Sequence, residues 1–528
     1  PGGNGKKIRT LEGYANLISS ITFNSNGIIL ASEIRRRIFE NMRNDIPDEK
    51  KVIQLWNLQT GKVLPPLEKM EGVFSSLDPL SSKEFDWIGS IAFSHNGKIL
   101  AGRNNFKVKL WDLSNGKEIL LPNNFPDYVL SFAFSPDDKI LALSTGRTLS
   151  LWDRAGGILM SPVTGELPSL VTSISFSPSG KILATGLENS IFNKEKTVVM
   201  LWDITSGREI RSFKNISQNF SRGGTSVLFS PDGRTLASAF QDRTVSFWDI
   251  DTGKEQQYLD ALSPLAFSPD GKLLATGSKN NSVLLWDMVS GKQIRSFKGH
   301  SDLINSVTFT PDSTILATAG NDMKIKFWDI KSGKELASLI SIEDEDWAVI
   351  TPDYRFDTTL RGMKEIHFVS GDIPLDLFQL KECYYEPGLL SKITGFNNEP
   401  SRKIFSLNEI QLFPEIQIKS PGPDKKLIIK LIDQGGGIGR SQVFLNKKEI
   451  ANASGKNSFE LDLTGIVPGQ QNVIRVVAWN KEGYLSNGGV ECSWIAEGKK
   501  DNEPPELYAI IAGVSNYSSP DIKLSFPD

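Results

Sequence analysis

Few residues in this chain have the types that do covalent chemistry. There are three histidines, His95, His300 and His367, and two cysteines, Cys383 and Cys492. A cysteine nucleophile needs a histidine base beside it and a third group to orient that base. His367 lies 16 positions before Cys383, but no orienting partner is apparent, so an inert buried thiol is expected. The acidic run at 343–346 has no helper ligands near it in sequence and is expected to be a solvated loop. The stretch "QGGGIG", 434–439, is not G-x-G-x-x-G and precedes a strand pattern, so an inter-strand turn is expected. No G-x-x-x-x-G-K-[ST] occurs. No catalytic residue, cofactor or metal ligand is therefore expected in the chain.

What dominates the sequence is repetition. Trp-Asp or Trp-Asn recurs at Trp56, Trp111, Trp152, Trp202, Trp248, Trp286 and Trp328. Ahead of each tryptophan is a turn such as "FSPDG", then an apolar strand such as "LATGS" or "LASAF". After it comes a polar turn ending mostly in Gly-Lys. Alternating strands such as "TVSFWDI" bury one side and expose the other. Each unit is then a four-stranded sheet that cannot cover both its faces alone. Radial packing covers them and leaves few edges open.

These repeats resemble the WD-repeat family of β-propellers over about residues 5–370. The resemblance implies that His300, Thr318, Asp322 and Trp328 bond to one another and lock their blade, which makes His300 structural. Other repeats depart from the pattern: Asp242 lacks the upstream histidine and Asn280 replaces the aspartate, so looser blades are expected there.

Ring closure poses a separate question. "GKKIRTLEGY" at 5–14 matches "GKQIRSFKGH" at 291–300, an outer strand. The seventh repeat already has its own outer strand, "GKELASLI". In 347–369, Ile350 and Val369 are 19 positions apart, as are Phe309 and Trp328. A degenerate eighth blade without tryptophan is expected, completed by residues 6–12 pairing with 363–369. A seven-bladed ring with an appended hairpin is the alternative.

The length, 528 residues, calls for several domains. A net charge of -3, with no basic block, favours neither nucleic acid nor an anionic membrane as partner. No apolar run reaches the ~20 residues of a membrane span. Two cysteines make no disulfide scaffold, so a reducing, cytoplasmic compartment is the default. The sequence opens without Met, so the lack of a signal peptide says little. Insertions at 32–50 and 65–86 interrupt the first repeats and are either contact surfaces or solvated loops. The arginine run at 35–37 is too short for a nucleic-acid footprint.

Residues 371–413 read as a helical spacer, two short helices broken at Glu386-Pro387. Residues 414–497 return to six or seven alternating strands, which suggests a β-sandwich. The segments "GIGRSQVFLNKKEI" and "NVIRVVAWNKEGYLS" resemble bacterial Ig-like or fibronectin-like modules. A charged, proline-bearing linker follows at 498–505. Then "LYAIIAGVSNY", within 506–528, is a continuous apolar run of the kind found in buried parallel strands. It resembles the first strand of the caspase-like cysteine peptidases, and propeller, Ig-like module and caspase-like domain form a bacterial arrangement. The fold class expected is thus all-β, ending in a truncated α/β start. The resemblance implies that the chain is the regulatory and recognition part of a caspase-like endopeptidase. The propeller would be a sensor or protein-recruiting platform, the catalytic His and Cys would lie beyond Asp528, and the caspase-like domain would be continuous with the chain. The alternative is a non-catalytic scaffold that gathers protein partners.

Overall fold

The computed structural model describes residues 15–496 except 44–45, 68–72, 75–90, 105–106, 122–128, 161–165, 189–196, 215–224, 241–243, 344–345, 371–372, 405–411, 422–424, 464–465, 467–468, 470 and 484. The chain divides into two compact units, Pro1–Asn408 and Glu409–Asp528.

In the first unit the described residues form seven antiparallel sheets of four or more strands in chain order, beginning at residues 15, 91, 131, 171, 226, 262 and 304, and one two-stranded sheet beginning at 367. The fifth is representative: Ser226–Phe229, Thr235–Ala239, Thr244–Asp249 and Glu255–Asp260, joined edge to edge. Its first turn is built by Ser230. The Ser230 hydroxyl donates to Asp232 (2.6 Å) and accepts from Thr235 N–H (3.0 Å). Gly233 closes the turn at φ 73, a conformation that favours glycine.

A Leu-Ala pair in the second strand of every sheet organises the core. Leu30-Ala31, Leu100-Ala101, Leu141-Ala142, Leu183-Ala184, Leu236-Ala237, Leu274-Ala275 and Leu316-Ala317 are all fully buried. Successive residues of a strand point to opposite faces. Each leucine therefore packs with its own tryptophan on one side, and each alanine packs into the next blade on the other. Ala142 shares a core with Leu183 and Trp202, Ala184 with Leu236 and Trp248, and Ala275 with Leu316 and Trp328. The pattern returns on itself: Ala317 of the seventh blade shares a core with Leu30 and Trp56 of the first. Backbone contacts agree, since Ile21 N–H donates to Ser306 Oγ (3.1 Å) and Asn305 Nδ2 donates to Ile18 O (2.8 Å). The ring closes at seven blades.

The expected eighth blade does not form. Residues 346–358 instead lengthen the seventh sheet: Asp346–Ile350 pairs with Glu335–Glu343, and Phe356–Thr358 pairs with Asp346–Ile350. The equal spacing concealed a difference in content. At the place of the buried Leu316-Ala317 pair this stretch has Asp357-Thr358. A carboxylate in a leucine slot would be buried without a partner, at a cost of several kcal/mol or more. Where Asp357 sits, its Oδ2 accepts from Gly388 N–H (2.7 Å) and Leu389 N–H (3.3 Å). Helix α1 (Gly362–Glu365) follows, then a separate hairpin of His367–Ser370 and Ile373–Asp376. The proposed pairing of residues 6–12 lies outside the described residues.

The insertion at 32–50 prolongs the second and third strands of the first blade into a long hairpin, with Arg43 opposite Ile46. Val73–Phe74, from the other insertion, pairs with the same hairpin, Glu49 opposite Phe74. Helices α2 (Leu377–Tyr384) and α3 (Leu389–Ile393) flank Glu386-Pro387.

In the second unit two antiparallel sheets face each other. One holds Glu415–Lys419, Lys426–Ile432 and Ser458–Asp462, and the other Lys448–Ser454, Arg440–Leu445, Gln471–Ala478 and Val490–Ile495. Leu427, Ile429, Val443, Leu445, Ile474 and Val476 fill the space between. The stretch 434–439 is an inter-strand turn held by Asp433, whose Oδ1 accepts from Gly435 N–H (2.9 Å) and Gly437 N–H (2.7 Å).

Candidate functional site

A buried polar cluster lies in the seventh blade. His300, Thr318, Asp322 and Trp328 come together there. Trp328 Nε1–H donates to Thr318 Oγ1 (2.8 Å), and His300 Nε2 lies 2.7 Å from that same oxygen. His300 Nδ1 faces both oxygens of Asp322 at 2.9 and 3.0 Å. Carboxylate oxygens accept only, so Nδ1 carries a proton. In a neutral ring Nε2 then accepts from the Thr318 hydroxyl, and every member is satisfied. Burial pushes the Asp322 carboxyl up, but the hydrogen bond from His300, with that from Ser301 N–H, outweighs it and holds the group below the usual aspartate range. The side chains of His300 and Asp322 are 1% and 2% exposed. A cluster so enclosed holds a blade together and offers no substrate access.

Among the described residues, three other blades keep the lower half of this network. Trp202 donates to Thr185 (3.2 Å), Trp248 to Ser238 (2.8 Å) and Trp286 to Thr276 (2.9 Å). The equivalent positions are Gly102 beside Trp111 and Leu143 beside Trp152, which have no hydroxyl. In the first blade Ser32 turns to Gln54 O, and Trp56 packs edge-on against Trp347. Asp242 lies outside the described residues. Asn280 is exposed, its N–H donating to Ser278 Oγ (3.3 Å).

His367 Nε2 pairs with Asp376 Oδ1 (2.7 Å) on the hairpin outside the seven blades, not in a propeller strand as its sequence position suggested. Asp376 caps the N-terminus of α2, and Cys383 lies near the far end of that helix. Burial, then the neighbouring Glu382 charge, push the Cys383 thiol up, the reverse of what an activated nucleophile needs. Cys492, in the second unit, contacts Ser420 Oγ (3.1 Å). Of the acidic run, Asp346 accepts from the Thr359 hydroxyl (2.7 Å). Among the described residues no three His, Cys, Asp or Glu side chains converge as a metal site would require.

Two features escaped the sequence reading. His95 belongs to a bond between blades: its N–H and that of Asn96 donate to Asp138 (2.7 and 2.8 Å). Asp138 stands at φ 57 where five other turns have Gly27, Gly97, Gly180, Gly233 and Gly271 and the seventh has Ser313, and "FSPDD" in place of "FSPDG" was the available signal. The second is an open cleft of about 710 Å3 lined by Gln59, Thr60, Gly388, Ser391 and 396–399. It joins the first blade to a segment far away in sequence, so no local pattern marks it.

The turn aspartates give the ring a pH dependence. Asp112, Asp203, Asp249, Asp287 and Asp329 accept from the hydroxyl or N–H of a following Ser or Thr, which lowers each carboxyl. Asp137, Asp232 and Asp270 are lowered chiefly by Ser135, Ser230 and Ser268. The folded values lie below the unfolded value of about 3.9, so the unfolded chain binds more protons in acid. Their contribution is complete above the unfolded value and is lost as pH falls through the folded ones. Urea midpoints should hold steady above about pH 5 and drop progressively below about pH 4. A midpoint that is constant or rising toward pH 3 would contradict this.

Six segments of the chain match the WD domain, G-beta repeat: 79–112, 121–153, 162–203, 222–249, 262–287 and 291–329. They fall on the second to seventh blades. The first blade is unmatched, although Leu30, Ala31 and Trp56 occupy the repeat's core positions. Its 32–50 insertion separates the strands that the repeat keeps close. No curated protein matches the chain. WD repeats of this kind suggest a protein-interaction platform. Among the described residues no helix is long and apolar enough to cross a membrane.

Proposed function

We propose that the chain is the recognition and regulatory part of a bacterial caspase-like cysteine peptidase, with the propeller presenting a protein-binding surface. The observation that carries the platform is the seven-bladed ring itself. Its repeats hold one another rigidly through the Leu-Ala-Trp cores, which frees the connecting turns to vary in shape and charge. In this reading the domains are a propeller at 5–370, a helical spacer at 371–413, an Ig-like sandwich at 414–497, a linker at 498–505 and the first caspase-like strand at 506–528. The two facing sheets of the second unit support the Ig-like assignment. The peptidase assignment rests on "LYAIIAGVSNY" and the order of modules, and that strand lies outside the described residues. The partner is a protein, and the compartment proposed is the cytoplasm.

Sequence continuing past Asp528 should hold a histidine and a cysteine at successive strand ends. A protein extended to include them should cleave peptides, and replacing that cysteine with alanine should abolish cleavage. A continuation without the pair overturns the peptidase reading and leaves the scaffold. Binding partners should be retained by a protein of residues 1–408 and not by one of residues 409–496. Retention by the second alone would overturn the propeller's role.

A further inference from the structure

Two outer strands of the ring share the sequence Ile-Arg-Ser-Phe, at 210–213 and 294–297. In both the arginine reaches across to the next blade. Arg211 Nη1 and Nη2 donate to Thr252 O (2.9 Å) and Asp251 O (3.3 Å). Arg295 Nη1 and Nη2 donate to Ser332 O (3.0 Å) and Lys331 O (2.8 Å). The receiver is each time the turn after the third strand. The guanidinium lies over the turn's glycine, so that a Cβ added at Gly253 or Gly333 would overlap it. Two consecutive carbonyls thus take one arginine, bolting neighbouring blades together.

The closing junction has the same turn and no bolt. Asn57 begins it, its Oδ1 accepting from Thr60 N–H (3.0 Å), and Gly61 ends it at φ 69. The outer strand that faces it from the seventh blade has Ala337 at the arginine's place: Ala337 lies opposite Phe327 as Arg295 lies opposite Leu285. Helix α3 stands there instead. Gly388 Cα and Ser391 N lie 3.6 Å from where a Gly61 Cβ would be. Ser391 Oγ donates to Gln59 O (2.7 Å), the carbonyl that corresponds to Asp251 O and Lys331 O. Leu389 and Leu390 enter the core that first and seventh blades share.

We propose that α3 is a latch that replaces the arginine bolt at the closing junction, so that docking of the spacer and closure of the ring are one equilibrium. The latch has its own anchors. Asp357 caps its first turn, buried Glu386 holds Lys392 Nζ and accepts from Arg402 N–H (3.0 Å), and Arg355 Nη2 donates to Arg402 O (2.8 Å). Whatever draws the 373–404 segment off the blade opens this junction and no other. By reciprocity, whatever clamps the first blade to the seventh holds the spacer down.

Amide hydrogen exchange on the full chain tests this, read at 15–23 and 304–309 for the closing junction and at 171–176 and 226–229 for one bolted by Arg211. Ser391→Ala should speed exchange at the closing junction on the order of fivefold, about the worth of one hydrogen bond. Lys392→Glu, which sets like charge against Glu386, should have the larger effect at the same place. Arg211→Ala should act only at the bolted junction. Unchanged exchange at 15–23 in both spacer variants overturns the latch. So does a uniform acceleration around the ring, because it would show that α3 contributes general stability and closes nothing in particular. Should Lys392→Glu fail to fold, Ser391→Ala alone decides by the same two criteria.

Discussion

Trp347→Ala should lower the stability of the propeller by about 3–5 kcal/mol, the usual cost of deleting a large buried aromatic. Trp347 belongs to none of the seven repeats, and on sequence grounds it would have been an early residue of an eighth blade. It lies instead in the core that joins the ring's ends. Its ring meets Trp56 edge-on, centroids 5.7 Å apart and planes at 86°. Ile18 and Ile34 of the first blade, Phe327 and Leu339 of the seventh, and Leu389 and Leu390 of α3 line the same core. Removing the indole leaves a cavity bounded by three elements that cannot all collapse onto it, and it loses an aromatic pair worth about 0.5–1.5 kcal/mol beyond its area. The urea midpoint should fall at constant slope, which marks lost stability and not a changed unfolded state. A hairpin merely appended to an outer edge would give a different result, a loss under about 1 kcal/mol. That smaller value would show that residues 346–358 are an accessory to the ring and not part of its closure.

The repeat was legible because it depends on local rules. Turn residues, alternation and the tryptophan spacing each recur, and they describe the blade without reference to anything distant. Blade number was not legible from spacing, since Ile350 and Val369 reproduce the interval between Phe309 and Trp328. The deciding residues were Asp357 and Thr358, which stand where seven other repeats have a buried apolar pair. Testing every repeat for that pair would have given seven. The inter-blade contacts were less accessible. Asp138 could be suspected from its place in a glycine turn, but Ser391 has no pattern around it. The seventh blade has Ala337 where two other blades have an arginine, and residues 59 and 391 are brought together by the closed ring. The two insertions were visible as insertions, while their meeting on one hairpin depended on a register that no local signal sets. No reading of single residues could tie Ser391 of α3 to the first blade, because its partner Gln59 lies more than three hundred positions away.

Thr318→Val should cost about 2–4 kcal/mol although it changes neither shape nor volume by much, because the one hydroxyl serves two buried groups. Thr318 is fully buried, and its Oγ1 meets both Trp328 Nε1 and His300 Nε2. Valine leaves each of these without its partner where water does not reach, and each unsatisfied group costs about 1–3 kcal/mol. The fifth blade supplies the comparison. Ser238 serves one buried side chain, Trp248, and its other bond is a long one to Ser246 O (3.4 Å), so Ser238→Ala should cost about half as much. His300→Ala should also destabilise, by another route: it removes the ring that faces both oxygens of buried Asp322 and leaves Ser301 N–H as a remaining donor to that carboxylate. The double variant of His300→Ala and Thr318→Val should lose less than the two single losses added, since each disrupts the same network. Strict additivity would mean that the four side chains do not act as a unit. Wild-type stability in Thr318→Val together with loss of a protein partner would move His300 from the frame of the blade to its binding surface.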